Sequence, residues 1–543
     1  MGVMDIDENG LFRHPRPRAI PFGPGVVAAI LDHIDDPSAV ALVDRGETLD
    51  YAETHKRVRA AAAALVSLGL RAGDRVAASS ASHNSLVIAF LATQRLGLIW
   101  VGINRGLATP EKRSQLVDSG AAVLLADSET AGQLEPIRDT IPALRAILTT
   151  SSSADAQWPV LIHRHTDVPC PPVGIDPFGP AAISYTSGTS GVPKGAVHSQ
   201  HSIMTFVNGG IASGRGGPWQ RGLRRGMAVP VTVLNSMNFG PLIALVNGGS
   251  YVSMDRVDAA GVAEWIERAR IEVLGCAPTT IRDLLTRPDL QHYDLSSLRF
   301  VFSGGASGTV GLRDIYRQRF RSELVEEYGM TEAPSAVAGS RSDRLPAPGT
   351  VGEAHVHVDV IALDEAGAPL PPGEVGEICV RAPRNGEWAQ VFTGMLGYWG
   401  KPDETRAALR GGWLHTGDTG SVDAERNVSV VGRKSDLIIR GGANIYPAEI
   451  ERVLLADPDI AEAVVMGLPD ERLGEIVAAY ICLKEDALKS EAHLLERLQK
   501  RCAANLARFK IPQRWFLVPT IPRNTTNKPL KAALREGHRK ELQ

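Results

Sequence analysis

From about Gly46 to Leu363, short apolar runs alternate with longer segments whose apolar residues recur at every third or fourth position. Arg75–Ser80 reads as a strand, His83–Gly97 as a helix and Leu98–Asn104 as a second strand, and the alternation then repeats. That pattern predicts α/β layers built on largely parallel strands. After Pro369 the texture changes to short strands and turn signals, as in Pro369–Ala382 and the hairpin-like Ser421–Arg433, where Asn427 is expected to supply a left-handed turn residue. This predicts a β-rich subdomain. From Leu437 a strand, loop, helix, strand and strand series follows, enough for a compact α+β domain of about 110 residues. The expected division is a large N-terminal domain, residues 1–434, and a small C-terminal domain, residues 435–543, with the boundary at Lys434–Asp436.

Composition narrows the class. With 543 residues, 44% hydrophobic and 22% charged, the chain is long enough for two to four domains, and disorder is excluded as its main state. A net charge of −3 argues against a nucleic-acid partner. The balance is uneven: residues 501–543 carry ten Lys or Arg against two acids, so this stretch is +8 and the remainder −11. Either the tail is a solvated basic face or it sits near an anion. The most apolar segments, Ala60–Leu70 and Leu86–Val101, are interrupted before they reach membrane-spanning length and read as buried elements, so no integral membrane segment is expected. Five scattered cysteines without a C-x-x-C spacing suggest neither a zinc site nor a disulfide framework, and fit a reducing compartment. The N-terminus lacks an apolar signal region, Gly2 has Ile6 where myristoylation wants Ser or Thr, and the terminal Glu-Leu-Gln offers no prenylatable Cys. A cytoplasmic location is the expectation.

The strongest chemical signal is Tyr185-Thr186-Ser187-Gly188-Thr189-Ser190-Gly191-Val192-Pro193-Lys194-Gly195, preceded by the strand-like Ala181–Ser184. Glycines allow successive N–H groups to converge on phosphate oxygens, the hydroxyls add donors, and Lys194 adds charge. A flexible Gly/Ser linker has a similar composition, but here the loop lies between two strand-like runs. It is not a Walker loop: Lys194 follows Pro193, and Gly195-Ala196-Val197 follows where Ser or Thr should open a helix.

This loop resembles the phosphate loop of the adenylate-forming superfamily: acyl- and aryl-CoA synthetases, adenylation domains of peptide synthetases and beetle-type luciferases. The resemblance runs from about Pro21 to Arg535. Tyr328-Gly329-Met330-Thr331-Glu332, Trp413–Asp418, Gly432–Asp436 and Pro522–Lys531 occur in the family's order. It implies an ATP-dependent acid–thiol ligase: a carboxylic acid and ATP give acyl-AMP and pyrophosphate, then coenzyme A displaces AMP. It also implies a mobile C-terminal domain.

Residue by residue, the resemblance gives Thr186, Ser187, Gly188, Thr189, Ser190, Gly191 and Lys194 to the ATP phosphates, and Thr331 to the α-phosphate. Glu332 becomes the Mg2+ ligand, a role its hard carboxylate suits, although a helix-start Glu has the same local pattern. Tyr328 and Gly329 flank the adenine opposite Gly304, Gly305 and Ala306; taken alone, Tyr328 is equally a core aromatic. Asp418 suits the ribose diol, and Arg433 the sugar or phosphate. Lys528 matches the catalytic lysine that reaches the acyl carboxylate and the α-phosphate. Its loop has Asn527 where Gly is usual and Pro529 where an aliphatic residue is common; Asn tolerates left-handed geometry. Ser435 matches the hinge, where Asp or Lys is frequent, and Gly441, Gly442 and Ala443 match the pantetheine tunnel. A basic tail then has ATP or CoA as its anion.

The acyl pocket is expected to draw on Val233, Asn235, Met237, Ser303 and Met330. These positions are mainly apolar or neutral, and Asn235 lies where adenylation domains for amino acids need a carboxylate, which disfavours free amino acids. Asn235 either hydrogen-bonds a polar group of the substrate or is structural. Many relatives carry an aromatic or His near Val233. No carrier domain follows Gln543, so free CoA is the expected acceptor. Loading of a separate carrier protein and a nucleotide-binding pseudoenzyme are the alternatives. Oligomeric state is not legible.

Overall fold

The computed structural model describes the chain apart from residues 1–5, 15–16, 33, 152–155, 171–172, 187–192, 214–216, 305–309, 322, 348, 441–442, 485–493, 524–528, 537–539 and 542–543. It divides into two compact units. One comprises Met1–Ile361, Cys379–Thr416 and Val422–Val428, and the other Ala362–Ile378, Gly417–Ser421 and Ser429–Gln543.

The first unit is the α/β structure expected from the alternation. One of its sheets has the spatial order Gly397–Tyr398, Lys194–Ser199, Pro180–Thr186, Ile99–Gly102, Arg75–Ser79, Val123–Ala126, Ala146–Thr149. The five strands from Pro180–Thr186 to Ala146–Thr149 are parallel. Pro180–Thr186 and Lys194–Ser199 form an antiparallel hairpin, so the glycine-rich segment is a hairpin connection. Helix Tyr51–Ser67 begins where the Asp50 carboxylate caps the Glu53 amide, and its run of five alanines lets it pack closely on helix Asn84–Arg95. Almost every residue of the latter helix is buried, which accounts for the unbroken apolar run in its sequence. No helix among the described residues is long and apolar enough to cross a membrane.

The other sheet runs Gly352–Ala354, Ser335–Gly339, Val325–Met330, Phe300–Gly304, Val273–Gly275, Arg224–Met227, Ser250–Val252, Val40–Val43, Thr48–Asp50. Strands from Val40–Val43 to Val325–Met330 are parallel, and the chain then reverses in a tight hairpin to Ser335–Gly339. The turn before Asn427–Arg433 differs from the sequence expectation. Arg426, not Asn427, adopts the left-handed conformation, at φ 68°. The Asp423 carboxylate accepts from the Asn427 amide at 2.7 Å and its side chain at 2.9 Å, which keeps Asn427 extended at the start of its strand. Arg426 is held by donating to the Val358 carbonyl at 2.8 Å.

The second unit carries a six-stranded sheet centred on Gly474–Leu483, which pairs antiparallel with Ile460–Asp470 and parallel with Arg514–Leu517. Helices Pro447–Leu455 and Leu494–Asn505 pack on it around Ile450, Leu454, Leu498 and Trp515.

At the N-cap of helix Asn84–Arg95, His83 is 6% exposed, with its ring nitrogens 2.8 Å from the Ser85 hydroxyl and 3.4 Å from that of Ser80. Burial lowers its pKa from 6.5 to about 4, against the opposing pull of Asp44 and Asp127. The folded ring is therefore neutral at pH values where the unfolded chain takes up a proton. Its contribution to stability is complete above pH 6.5 and falls by about 1.4 kcal/mol per pH unit as the pH drops toward 4. In urea denaturation, His83→Asn is expected to flatten the stability slope between pH 6.5 and 5 by that amount; an unchanged slope refutes this.

Candidate active site

The glycine-rich connection is anchored at both ends by its hairpin, in which Tyr185 faces Gly195 and Thr186 faces Lys194. Tyr185 donates to Asp118 at 2.6 Å, and Gly195 has no room for a side chain because a Cβ would lie 2.7 Å from Ile183. Ser187, Gly188, Thr189, Ser190 and Gly191 lie outside the described residues, as do Gly305, Ala306, Gly441, Gly442 and Lys528. Lys194, half-buried, places its ammonium 5.2 Å from the centre of the Tyr398 ring.

Thr331 and Glu332 occupy the tip of the hairpin between Val325–Met330 and Ser335–Gly339. The hairpin is tight because Gly329 lies directly against its partner strand: a Cβ there would sit 1.8 Å from the Ser335 carbonyl oxygen. Glu332 is 9% exposed, accepts from the Tyr398 hydroxyl at 2.7 Å through Oε1, and accepts from the Met395 amide at 2.8 Å through its carbonyl. A carboxylate so enclosed, with a neutral donor on one oxygen, is a suitable hard ligand for a divalent cation. On the same hairpin Glu327 is bound to His355 at 2.8 Å, both fully enclosed, directly before Tyr328. His198, beside the Thr331 backbone, is neutral, its pKa lowered by burial to about 3.

The structure therefore brings Lys194, Thr186, Thr331 and Glu332 into one unit, with Tyr328 and Gly329 on the strand leading to the hairpin tip. Gly304 ends the neighbouring strand, in register with Glu327. Asp418 and Arg433 are in the second unit, paired at 3.2 Å, with the carboxylate buried and the guanidinium largely exposed. Ser435 lies in the single turn Lys434–Asp436, and Ala443 opens the strand Ala443–Ile445.

Among the expected acyl-pocket residues, Val233, Asn235 and Met330 are half-buried. Met237 is fully buried in the core and Ser303 is 1% exposed. The Asn235 carbonyl accepts from the Ser335 hydroxyl at 3.3 Å, a structural contact with the Glu332 hairpin. Val233 caps Leu234–Met237, which continues into a wide turn at Asn238–Leu242 containing Pro241. Asn238, fully buried, donates to the Pro334 carbonyl at 2.9 Å and so ties this helix to the same hairpin. Behind it Phe239 packs on Phe206 at 4.9 Å and on Phe302 at 5.2 Å. Sequence reasoning missed Tyr398 and Glu327; neither lies in a local pattern that marks chemistry, and each acts on a partner more than 25 residues away.

The profile of the AMP-binding enzyme family matches residues 34–399, and that of the AMP-binding enzyme C-terminal domain matches residues 449–528. The chain is 32% identical to a feruloyl-CoA synthase of Amycolatopsis sp, over 92% of this chain and 96% of that one. It is 31% identical to a long-chain-fatty-acid–CoA ligase of Mycobacterium tuberculosis, over 90% and 93%. The solved structure of an anthranilate CoA ligase in complex with anthranoyl-AMP superposes with a TM-score of 0.83 at 25% identity, covering 94% of this chain and 96% of that one. The chain belongs to the AMP-binding enzyme family, within the adenylate-forming superfamily. It is an AMP-forming acid–CoA ligase, with ATP, CoA and a small carboxylic acid as substrates.

Gly329→Ala is expected to force the two hairpin strands apart, lowering stability by about 1–3 kcal/mol in urea denaturation and abolishing ATP–pyrophosphate exchange. Retention of wild-type exchange refutes the close approach as a requirement.

Proposed function

We propose that this chain activates a neutral aryl or alicyclic carboxylic acid, with the phosphates held by the Thr186–Lys194 hairpin connection and the α-phosphate met by Thr331. The observation that carries the reading is the convergence of Lys194 and Glu332 on Tyr398, two charges of opposite sign gathered at the mouth of a glycine-rich hairpin. Adenylation joins a carboxylate oxygen to the α-phosphorus and releases pyrophosphate, so the protein must hold the two anions in line against their repulsion. Lys194 neutralises phosphate charge, and Lys528 does the same at the carboxylate and α-phosphorus. Glu332 is the residue that would hold Mg2+, which when bound neutralises charge on the phosphate oxygens. Asp418, paired with Arg433, accepts from the ribose hydroxyls.

In the second half-reaction the CoA sulfur attacks the acyl carbon and AMP leaves with the carboxylate oxygen. Rotation of residues 435–543 about Ser435 exchanges Lys528 for the segment Gly441–Ala443, which lines the pantetheine path. The aryl or alicyclic preference rests on the absence of a carboxylate at Asn235 and on the feruloyl and anthranilate relatives. The use of ATP and CoA supports a cytoplasmic location.

A mass-spectrometric screen with ATP, Mg2+, CoA and a panel of aryl, alicyclic, medium-chain and long-chain acids tests the substrate class. Aryl or alicyclic thioesters are expected to dominate; turnover confined to long-chain acids refutes the assignment. Lys528→Ala is expected to slow adenylation by roughly 10²–10³-fold while a supplied acyl-adenylate still reacts with CoA. Equal loss of both half-reactions removes Lys528 from the first step.

A further inference from the structure

The strip Met395–Trp399 acts as a splint between the two halves of the site. Gly397 and Tyr398 pair with Val197 and Ala196, the Leu396 amide donates to the Val197 carbonyl at 2.7 Å, and the Trp399 amide donates to that of Gly195 at 2.8 Å. From the same strip the Met395 amide reaches the Glu332 carbonyl at 2.8 Å. The N-terminal segment binds its outer side, with the Phe12 amide donating to Leu396 at 2.6 Å and the Gly400 amide to Asn9 at 2.8 Å. The Tyr398 amide itself donates to the Thr405 hydroxyl at 2.9 Å. With its backbone held on every side, Tyr398 has little freedom in where its ring points. The ring is 9% exposed; its hydroxyl meets Glu332 Oε1 at 2.7 Å, and its centre lies 5.2 Å from the Lys194 ammonium, within cation–π range.

We propose that Tyr398 is a positioning residue for the nucleotide: it holds the Glu332 carboxylate in one rotamer, with its free oxygen directed to the ATP-bound divalent cation, while its ring holds Lys194 beside the phosphates. The inference rests on the adenylation reading and deepens it. A glutamate free to rotate loses that freedom when the cation arrives, and a preset hydrogen bond removes the loss in advance. The donor is also neutral. A Lys or Arg in its place would form an ion pair with Glu332 and compete with the metal, whereas a phenol orients the carboxylate and leaves its charge intact. The Tyr398 hydroxyl, a neutral donor, meets the Glu332 carboxylate, as this role requires.

Tyr398→Phe removes the hydroxyl and keeps the ring. Calorimetric titration of the full-length protein with ATP, once in excess Mg2+ and once in EDTA, separates metal-linked from direct nucleotide binding. The affinity gained from Mg2+ is expected to shrink about tenfold, the scale of one hydrogen bond to a charged group, while affinity in EDTA stays within about twofold. The Mg2+ concentration for half-maximal ATP–pyrophosphate exchange should rise in parallel. An unchanged Mg2+ gain, or an equal loss with and without the metal, overturns the assignment. Wild-type protein that binds Mg–ATP but exchanges pyrophosphate with no acid would defeat the adenylation reading instead, and the calorimetric comparison would still decide the role of Tyr398.

Discussion

A carboxylate that is nine-tenths enclosed is stable only if something satisfies it, and Glu332 sets that requirement for the surrounding structure. Its partner must be a donor, and the Tyr398 hydroxyl is one that adds no charge. The solution draws in distant parts of the first unit: a hairpin tip to carry the carboxylate, an edge strand to carry Tyr398, and an N-terminal segment to pin that strand. Each piece is ordinary alone. Together they hold a carboxylate at the hydroxyl and an ammonium near the centre of one aromatic ring.

Close backbone approach is the second constraint. Gly329 lets the strands on either side of Thr331–Glu332 meet without a side chain between them, and Gly102 does the same beneath the acyl segment, where a Cβ would sit 1.9 Å from the Thr232 carbonyl oxygen. The Trp100 indole, two residues before Gly102, donates to that same carbonyl at 3.4 Å. The Gly102 contact joins one sheet to the segment before the acyl helix, and Asn238 joins that helix to the Glu332 hairpin. The sheet, the helix that begins at Leu234 and the Glu332 hairpin are thus connected through backbone carbonyls.

The second unit has ion pairs of its own. Asp418 and Arg433 already form a pair within it, and Lys531 binds Asp436 at 2.9 Å, tying the helix that follows Pro529 to the turn containing Ser435. The ten basic residues of the tail are accounted for only in part by an anionic ligand, since Arg514 and Arg523 are engaged by Glu541 and Glu462 within the unit.

By itself the sequence determined the α/β layering, because burial on both faces of a parallel sheet leaves continuous apolar runs. It also determined the order of the motifs that carry Thr331, Glu332, Asp418 and Arg433. The register of the Asp423–Asn427 turn was misread, since Asn and Arg both reach the left-handed region and the choice fell to the carboxylate and carbonyl partners around them. Tyr398, Asn238 and the Glu327–His355 pair were decided by tertiary structure alone. Their partners lie 66, 96 and 28 residues away in the chain, and no local pattern encodes a hydrogen bond that exists only once two sheets and a hairpin have been brought together. The burial of Met237 and Ser303 has the same cause: a helix or strand pattern marks which residues share a face, but only packing decides whether that face meets solvent or the core.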